Sequence, residues 1–289
     1  MKHGIYYAYW ETEWAADYVP YVEKVAKLGF DILEIGGAAL PDMTAQQLKE
    51  LRAAADGCGV ELTTGYGPAP AYDVGCPATR KAALEWYKRM FAGMAAIGSS
   101  VIGGALYSHW PVDYSQPINK AEDWKNAVEG MRELSALAAP YGIQLNMECL
   151  NRFEGYLINT ARECIDFVKE VDRPNVWVML DTFHMNIEET DMAEAIRSAG
   201  SLLGHFHTGE CNRMVPGKGR MPWREIGQAL RDIGYDKRVV MEPFVNMGGQ
   251  VGQDIKIWRR LVDYTGTEML DKDAADAVAF QRYMLDGRM

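Results

Sequence analysis

Short apolar runs alternate along this chain with longer stretches in which apolar residues recur every three or four positions. A run of the first kind is what a strand covered on both faces looks like, and the second is the mark of a helix with one buried side. The runs fall at residues 5–9, 32–35, 62–65, 101–106, 144–150, 177–183, 204–208 and 239–244. Helical patterns lie between them at 19–28, 45–55, 81–96, 123–139, 161–171, 192–198 and 223–233. An eighth is expected over 255–264 and a further one over 272–285. The segments AKLGFD, GCGVEL, PYGIQL and DIGYDK read as helix ends with a glycine cap that feeds the next strand. Eight such units, spaced by roughly 30 to 40 residues, predict an α/β fold, a (β/α)8 TIM barrel. An open doubly wound sheet is disfavoured by the repeat count and by the lack of a GxGxxG turn. No low-complexity stretch or Pro/Gly/Ser linker interrupts the pattern. One domain over 1–289 is therefore expected, with the C-terminal helix as an extra element.

Composition narrows the function classes. A length of 289 residues suits one such barrel, and 48% hydrophobic with 24% charged residues is ordinary for a soluble globular chain. The formal charge of −10 argues against nucleic acid or an anionic membrane surface as partner. Five scattered cysteines, odd in number and without a CxxC pair, suit a reducing cytoplasm better than a disulfide framework. The opening residues lack the apolar core of a secretory signal, and no run of 18 apolar residues suggests a membrane span.

In barrels of this kind the chemistry sits at the C-terminal ends of the strands. Four polar residues stand there after apolar or strand-forming residues: Glu148 in QLNMECL, Asp181 in VWVMLDTF, His207 in GHFHTG and Glu242 in VVMEPF. One buried carboxylate without a partner costs several kcal/mol, and three in neighbouring strands repel one another. A divalent cation held by three carboxylates and one imidazole resolves that conflict. The oxygen-rich set favours Mn²⁺, with Co²⁺ or Mg²⁺ as alternatives, over a structural zinc. His205, one layer deeper than His207, reads as a hydrogen-bonded core histidine. Cys149 and Cys211 read as structural.

The segments MECLNRFEGYLINT (147–160), VMLDTFHMNIEE (178–189), GHFHTGECNR (204–213), PGKGRMPW (216–223) and VVMEPF (239–244) resemble the D-tagatose 3-epimerase/D-psicose (D-allulose) 3-epimerase family. MKHGIYYAYWE and VIGGALYSHWP (101–111) extend the resemblance over nearly the whole chain. It implies a xylose-isomerase-like barrel, one divalent metal per subunit, and a free ketose as substrate. It also implies a homo-oligomer, dimer or tetramer; no nicotinamide cofactor is expected, in keeping with the missing dinucleotide fingerprint. The family's metal ligands fall on Glu148, Asp181, His207 and Glu242, and its two catalytic glutamates on Glu148 and Glu242. Its substrate-contacting residues fall on Glu154, His184 and Arg213.

Epimerisation at carbon 3 of a 2-ketose removes a proton next to a carbonyl and returns one on the opposite face. A cation would polarise the carbonyl, and two carboxylates on opposite faces can each act as acid or base. Tyr6, Trp14, Tyr66 and Trp110 are the aromatics placed to wall a sugar pocket. At 36–37 and 66 the sequence has Gly-Gly and Tyr, a departure that leaves the preferred ketose open. The nearest rival is an aldose–ketose isomerase of the same barrel group. A sugar-phosphate epimerase is disfavoured because MGGQVGQD, after the last strand, has no basic residue and ends in an aspartate. A non-catalytic sugar- or metal-binding barrel would have no need of two opposed carboxylates.

Overall fold

The structure, a computed structural model, describes residues 1–263 and 266–287. Eight parallel strands close into a barrel in chain order, β1 pairing with both β2 and β8. They are β1 Lys2–Tyr6, β2 Ile32–Gly36, β3 Glu61–Gly65, β4 Val101–Gly104, β5 Gln144–Glu148, β6 Val176–Asp181, β7 Leu203–Thr208 and β8 Arg238–Met241. The α-helices of the first half are α1 Val19–Lys27, α2 Ala45–Cys58, α3 Arg80–Ile97 and α4 Lys120–Ala138. Those of the second half, among the described residues, are α5 Ala161–Val171, α6 Thr182–Glu188, α7 Met192–Ala199, α8 Trp223–Asp232, α9 Gly249–Asp254 and α10 Thr267–Asp286.

The strands are buried on both faces, outward against the helices and inward against one another, so their sequences read as near-continuous apolar runs. The four expected glycine caps, Gly29, Gly59, Gly142 and Gly234, all take positive φ, between 64° and 91°. That conformation is costly for any residue with a Cβ, so glycine fixes where the chain leaves the outer ring and enters a strand. Gly104 serves the site directly. At φ 128° it lets the end of β4 run so close to the Tyr66 carbonyl that a Cβ would stand 2.2 Å from it.

The main departures from expectation are these, besides strands β4, β5 and β8, which end two or three residues short of their apolar runs. The first strand runs over residues 2–6, not 5–9, because pairing with β8 begins at Lys2↔Arg238. Tyr7–Tyr9 form a 3-10 turn. Their side chains are buried, and the Tyr7 and Tyr9 hydroxyls donate to the Trp14 and Leu270 carbonyls, so the apolar run reflects burial and not extension. The helix expected over 255–264 is absent through 263, and Tyr264 lies outside the described residues. The chain is helical just before it, in α9, and stops because Lys256 turns to φ 63° and Ile257 N–H closes back on the Gly252 carbonyl. The place of the eighth ring helix is taken by α10, which was expected as an extra element. It packs on α8 and β1, and Asp271 accepts from Trp10 Nε1 at 2.7 Å and Lys24 Nζ at 3.0 Å. Finally, the apolar run 177–183 crosses an element boundary. Its last two residues open α6, with Asp181 as the N-cap.

Candidate active site

Strand register gathers the four ligand candidates. Asp181 on β6 pairs with His207 on β7, so the two lie level. Glu148 on β5 pairs with Met179, two residues below Asp181, and His207 pairs with Val240, two residues below Glu242. Side chains alternate with period two along a strand, so steps of zero or two residues keep all four on one face, here the barrel interior. The outcome is a group of donor atoms within 4.8 Å of one another. His207 Nδ1 stands 3.8 Å from Glu148 Oε1 and 3.8 Å from Glu242 Oε2. Glu148 is further held by its carbonyl, which accepts from the Tyr107 hydroxyl at 2.8 Å.

The electrostatics of this group are those of surplus negative charge. Burial pushes the Glu148 carboxyl well above the usual range, and Glu242 and Asp181 push it further, against the pull of His207. For His207, burial disfavours the charged form, yet Glu34 and Glu242 outweigh it and raise the imidazole well above its usual value. Both shifts say that a positive charge is favoured between the carboxylates. Glu148 Oε1 and His207 Nδ1 are among the buried side-chain atoms with no hydrogen-bond partner among the described residues. Natural interiors leave few such atoms, and these two face each other across the group.

Above the carboxylates a second set is organised around His184, which α6 brings to the interior one turn after Asp181. The Asn151 main-chain N–H donates to His184 Nδ1 at 3.1 Å and Arg213 Nη2 stands 3.3 Å from Nε2, so a neutral ring meets a donor at each nitrogen. Burial depresses its basicity, against the opposite pull of Glu154 and Asp181, and so favours that neutral form. Nε2 lies 3.7 Å from Asp181 Oδ2 and 3.8 Å from Glu148 Oε1. Arg213 donates to Glu154 at 3.1 Å and stands 3.7 Å from Glu242. Burial alone would raise the Glu154 carboxyl, but Arg213, His184 and Asn151 together hold it below its usual value.

A cavity of about 320 Å³ opens over this floor. Tyr6, Trp14, Tyr66 and Trp110 line it, as do Glu148, Glu154, His184, His207, Arg213 and Glu242. Of the residues singled out from the sequence only Asp181 is not in its wall, and it joins them through the carboxylate group. Trp14 meets Trp110 and Phe244 edge-on, each at 6.1 Å between ring centroids, so one end of the cavity is an aromatic corner.

Residues 22–261 match the xylose isomerase-like TIM barrel family. The chain is 56% identical to a D-psicose 3-epimerase of Ruminiclostridium cellulolyticum, over 99% of this chain and 98% of that one. It is 52% identical to a D-psicose 3-epimerase of Agrobacterium fabrum, over 99% of this chain and 100% of that one. The crystal structure of the Clostridium cellulolyticum H10 D-psicose 3-epimerase with D-tagatose superposes with a TM-score of 0.97, over 99% of both chains, at 56% identity. The chain belongs to the 3-epimerases of the xylose isomerase-like TIM barrel family. It is therefore an enzyme of the isomerase class.

Sequence reasoning missed several residues of this epimerase site. Glu34 is buried to 1% exposure and accepts from both His205 Nε2, at 2.9 Å, and His207 Nε2, at 2.6 Å. The signal was present, a lone carboxylate in the apolar strand ILEIG, but no neighbouring strand end pointed to it. His205 is the hydrogen-bonded core residue expected of it. Asn151 and Asp254 gave no signal, since loop residues carry no periodicity. Asp254 lines the cavity and accepts from Trp14 Nε1 at 2.7 Å.

Proposed function

We propose that the chain is a divalent-metal-dependent ketose 3-epimerase that acts on free ketohexoses of the D-fructose/D-psicose and D-tagatose/D-sorbose type. The observation that carries the metal reading is the pair of buried, unpartnered donor atoms, Glu148 Oε1 and His207 Nδ1, converging with Asp181 and Glu242. Mutual repulsion of three carboxylates is expensive unless a cation relieves it, and one imidazole with three carboxylates suits Mn²⁺, Co²⁺ or Mg²⁺. Glu148, Asp181, His207 and Glu242 would hold such an ion, which would supply Lewis-acid polarisation of the ketose carbonyl.

The remaining steps fall to side chains. Glu148 and Glu242 enter from β5 and β8, three strands apart around the ring, with Asp181 and His207 between them. One of the two glutamates removes the C3 proton and the other returns a proton to the opposite face, so the pair's proton count is unchanged and the reaction runs both ways. Arg213, His184 and Glu154 supply hydrogen bonds to sugar oxygens and fix the ketose against the carboxylates. Tyr6, Trp14, Tyr66 and Trp110 cover its carbon faces and exclude water.

A free sugar is favoured over a phosphorylated one by charge. The N-terminal end of α9, after the last strand where barrels commonly seat a phosphate, already gives Gln250 N–H to the Glu13 carboxylate at 3.3 Å. Asp254, in the cavity wall, adds a second negative charge on that side. The relatives' names, D-psicose 3-epimerase, support the same substrate class. The test is to incubate metal-stripped and Mn²⁺-loaded protein with free ketoses and ketose phosphates, and to identify products carbon by carbon by NMR. The expected product is the C3 epimer of a free ketose, formed only with metal; a C1–C2 isomer would contradict the reading.

A further inference from the structure

Glu34 stands in the middle of β2, and its carboxylate reaches across the barrel to β7. Burying a carboxylate is costly unless it is paired or hydrogen-bonded. Glu34 Oε2 accepts from Thr63 Oγ1 at 2.8 Å and from His205 Nε2 at 2.9 Å. Oε1 accepts from His207 Nε2, the shortest of the three at 2.6 Å. A carboxylate only accepts, so both imidazoles must carry their hydrogen on Nε2. When His207 is neutral, as a ligand to a cation must be, this leaves Nδ1 with its lone pair on the side of Glu148 and Glu242.

We propose that Glu34 is a positioning residue for the cation centre: by holding His207 Nε2–H it presents the Nδ1 lone pair to the point shared with Glu148, Asp181 and Glu242, and so sets the affinity for a divalent cation. This rests on the reading that those four residues hold a metal. A purely structural carboxylate would be served by Thr63 and His205. The third and shortest bond goes instead to the ring whose other nitrogen belongs to the ligand group. Partners of this kind fix the orientation and tautomer of a ligating histidine. A glutamine at 34 would offer one acceptor oxygen to two ring N–H groups, and its amide would press one ring into the opposite tautomer.

The test titrates metal-stripped wild type, Glu34→Gln, Glu34→Ala and His205→Gln with Mn²⁺ by calorimetry, and records melting curves with and without Mn²⁺. Glu34→Gln should bind Mn²⁺ about 10- to 100-fold more weakly and lose most of the Mn²⁺-induced rise in Tm. His205→Gln keeps a donor to Glu34 and should stay within about threefold of wild type, as expected if only the bond to His207 tunes the metal. Wild-type Mn²⁺ affinity in Glu34→Gln, even with a lowered metal-free Tm, would reduce Glu34 to a structural role and overturn the inference alone. A wild type that binds no Mn²⁺ would overturn the cation reading and this inference with it. Should the Glu34 variants not fold, ¹⁵N spectra of the Mg²⁺-loaded wild type decide the point. The ring hydrogen of His207 is expected on Nε2, and its location on Nδ1 would overturn the proposal.

Discussion

Arg213 lies over the ring of Phe183, its guanidinium carbon 4.0 Å from the ring centroid, while its Nη2 reaches Glu154 at 3.1 Å. The backbone contributes to this placement. Arg213 takes φ 62°, its N–H donates to the Glu210 carbonyl, and its own carbonyl accepts from Phe244 N–H. A planar, stacked, forked cation is what this position uses, and a lysine supplies none of those three properties. Arg213→Lys should therefore lower kcat/KM by about 10- to 100-fold, the loss of one charge-assisted hydrogen bond of roughly 1.5–3 kcal/mol. Steady-state kinetics on a free ketose checks this. A change under threefold would remove Arg213 from the site.

Glu148→Gln and Glu242→Gln should each lower kcat by about 10² to 10⁴, the usual range for loss of a positioned acid or base. Each glutamine keeps an oxygen for the metal but cannot exchange a proton. Circular dichroism should show an intact fold in both, and retention of wild-type turnover in either would sink the two-carboxylate scheme.

Removing the metal should lower stability as well as activity, because a ligand that binds only the folded chain stabilises it by mass action. At a free concentration of about 100 times Kd the gain is about 2.7 kcal/mol, which for a chain of this size is a rise in Tm of roughly 5 °C. Melting with excess chelator and with Mn²⁺ measures the difference. Identical curves and full activity in chelator would contradict a cation in this group.

A pH effect away from the site is also expected. His109 sits 2.9 Å from Asp73, whose hydrogen bond raises the imidazole above its usual value, partly opposed by burial. A basicity raised on folding gives stability that is complete below the unfolded value of about 6.5 and is lost as pH rises through the folded value. His109→Gln should lower the unfolding free energy more at pH 6 than at pH 9, by less than about 1 kcal/mol since the pair is partly exposed, as denaturant unfolding at the two pH values would show. A larger loss at pH 9 would reverse the sign.

The barrel was legible because its strands are buried on both faces and its ring helices on one, and burial of each kind leaves its own spacing in the sequence. The ligand group was legible for a related reason, since Glu148, Asp181, His207 and Glu242 each follow apolar or strand-forming residues near the C-terminal end of a strand. What was not legible depends on long-range contact. Glu34 gains its meaning only when β2 faces β7 across the interior. Residues 255–263 carry helix-like spacing, and the turn at Lys256, closed by the Ile257–Gly252 bond, overrides it. Position 182 continues an apolar run yet starts a helix, because Asp181 caps it through Phe183 N–H at 2.8 Å.

The central claim is that one glutamate takes the C3 proton and the other returns a proton from the opposite face. Epimerisation of a free ketose in D₂O, followed by ¹H and ¹³C NMR, tests it most directly. Carboxylates on the cavity floor exchange with solvent, so the product should carry deuterium at C3, at about one atom per turnover early in the reaction, with C1 unlabelled. An aldose–ketose isomerase that moves hydride between C1 and C2 would leave C3 unlabelled. Deuterium at C1, or inverted product that keeps the original hydrogen at C3, would contradict the account.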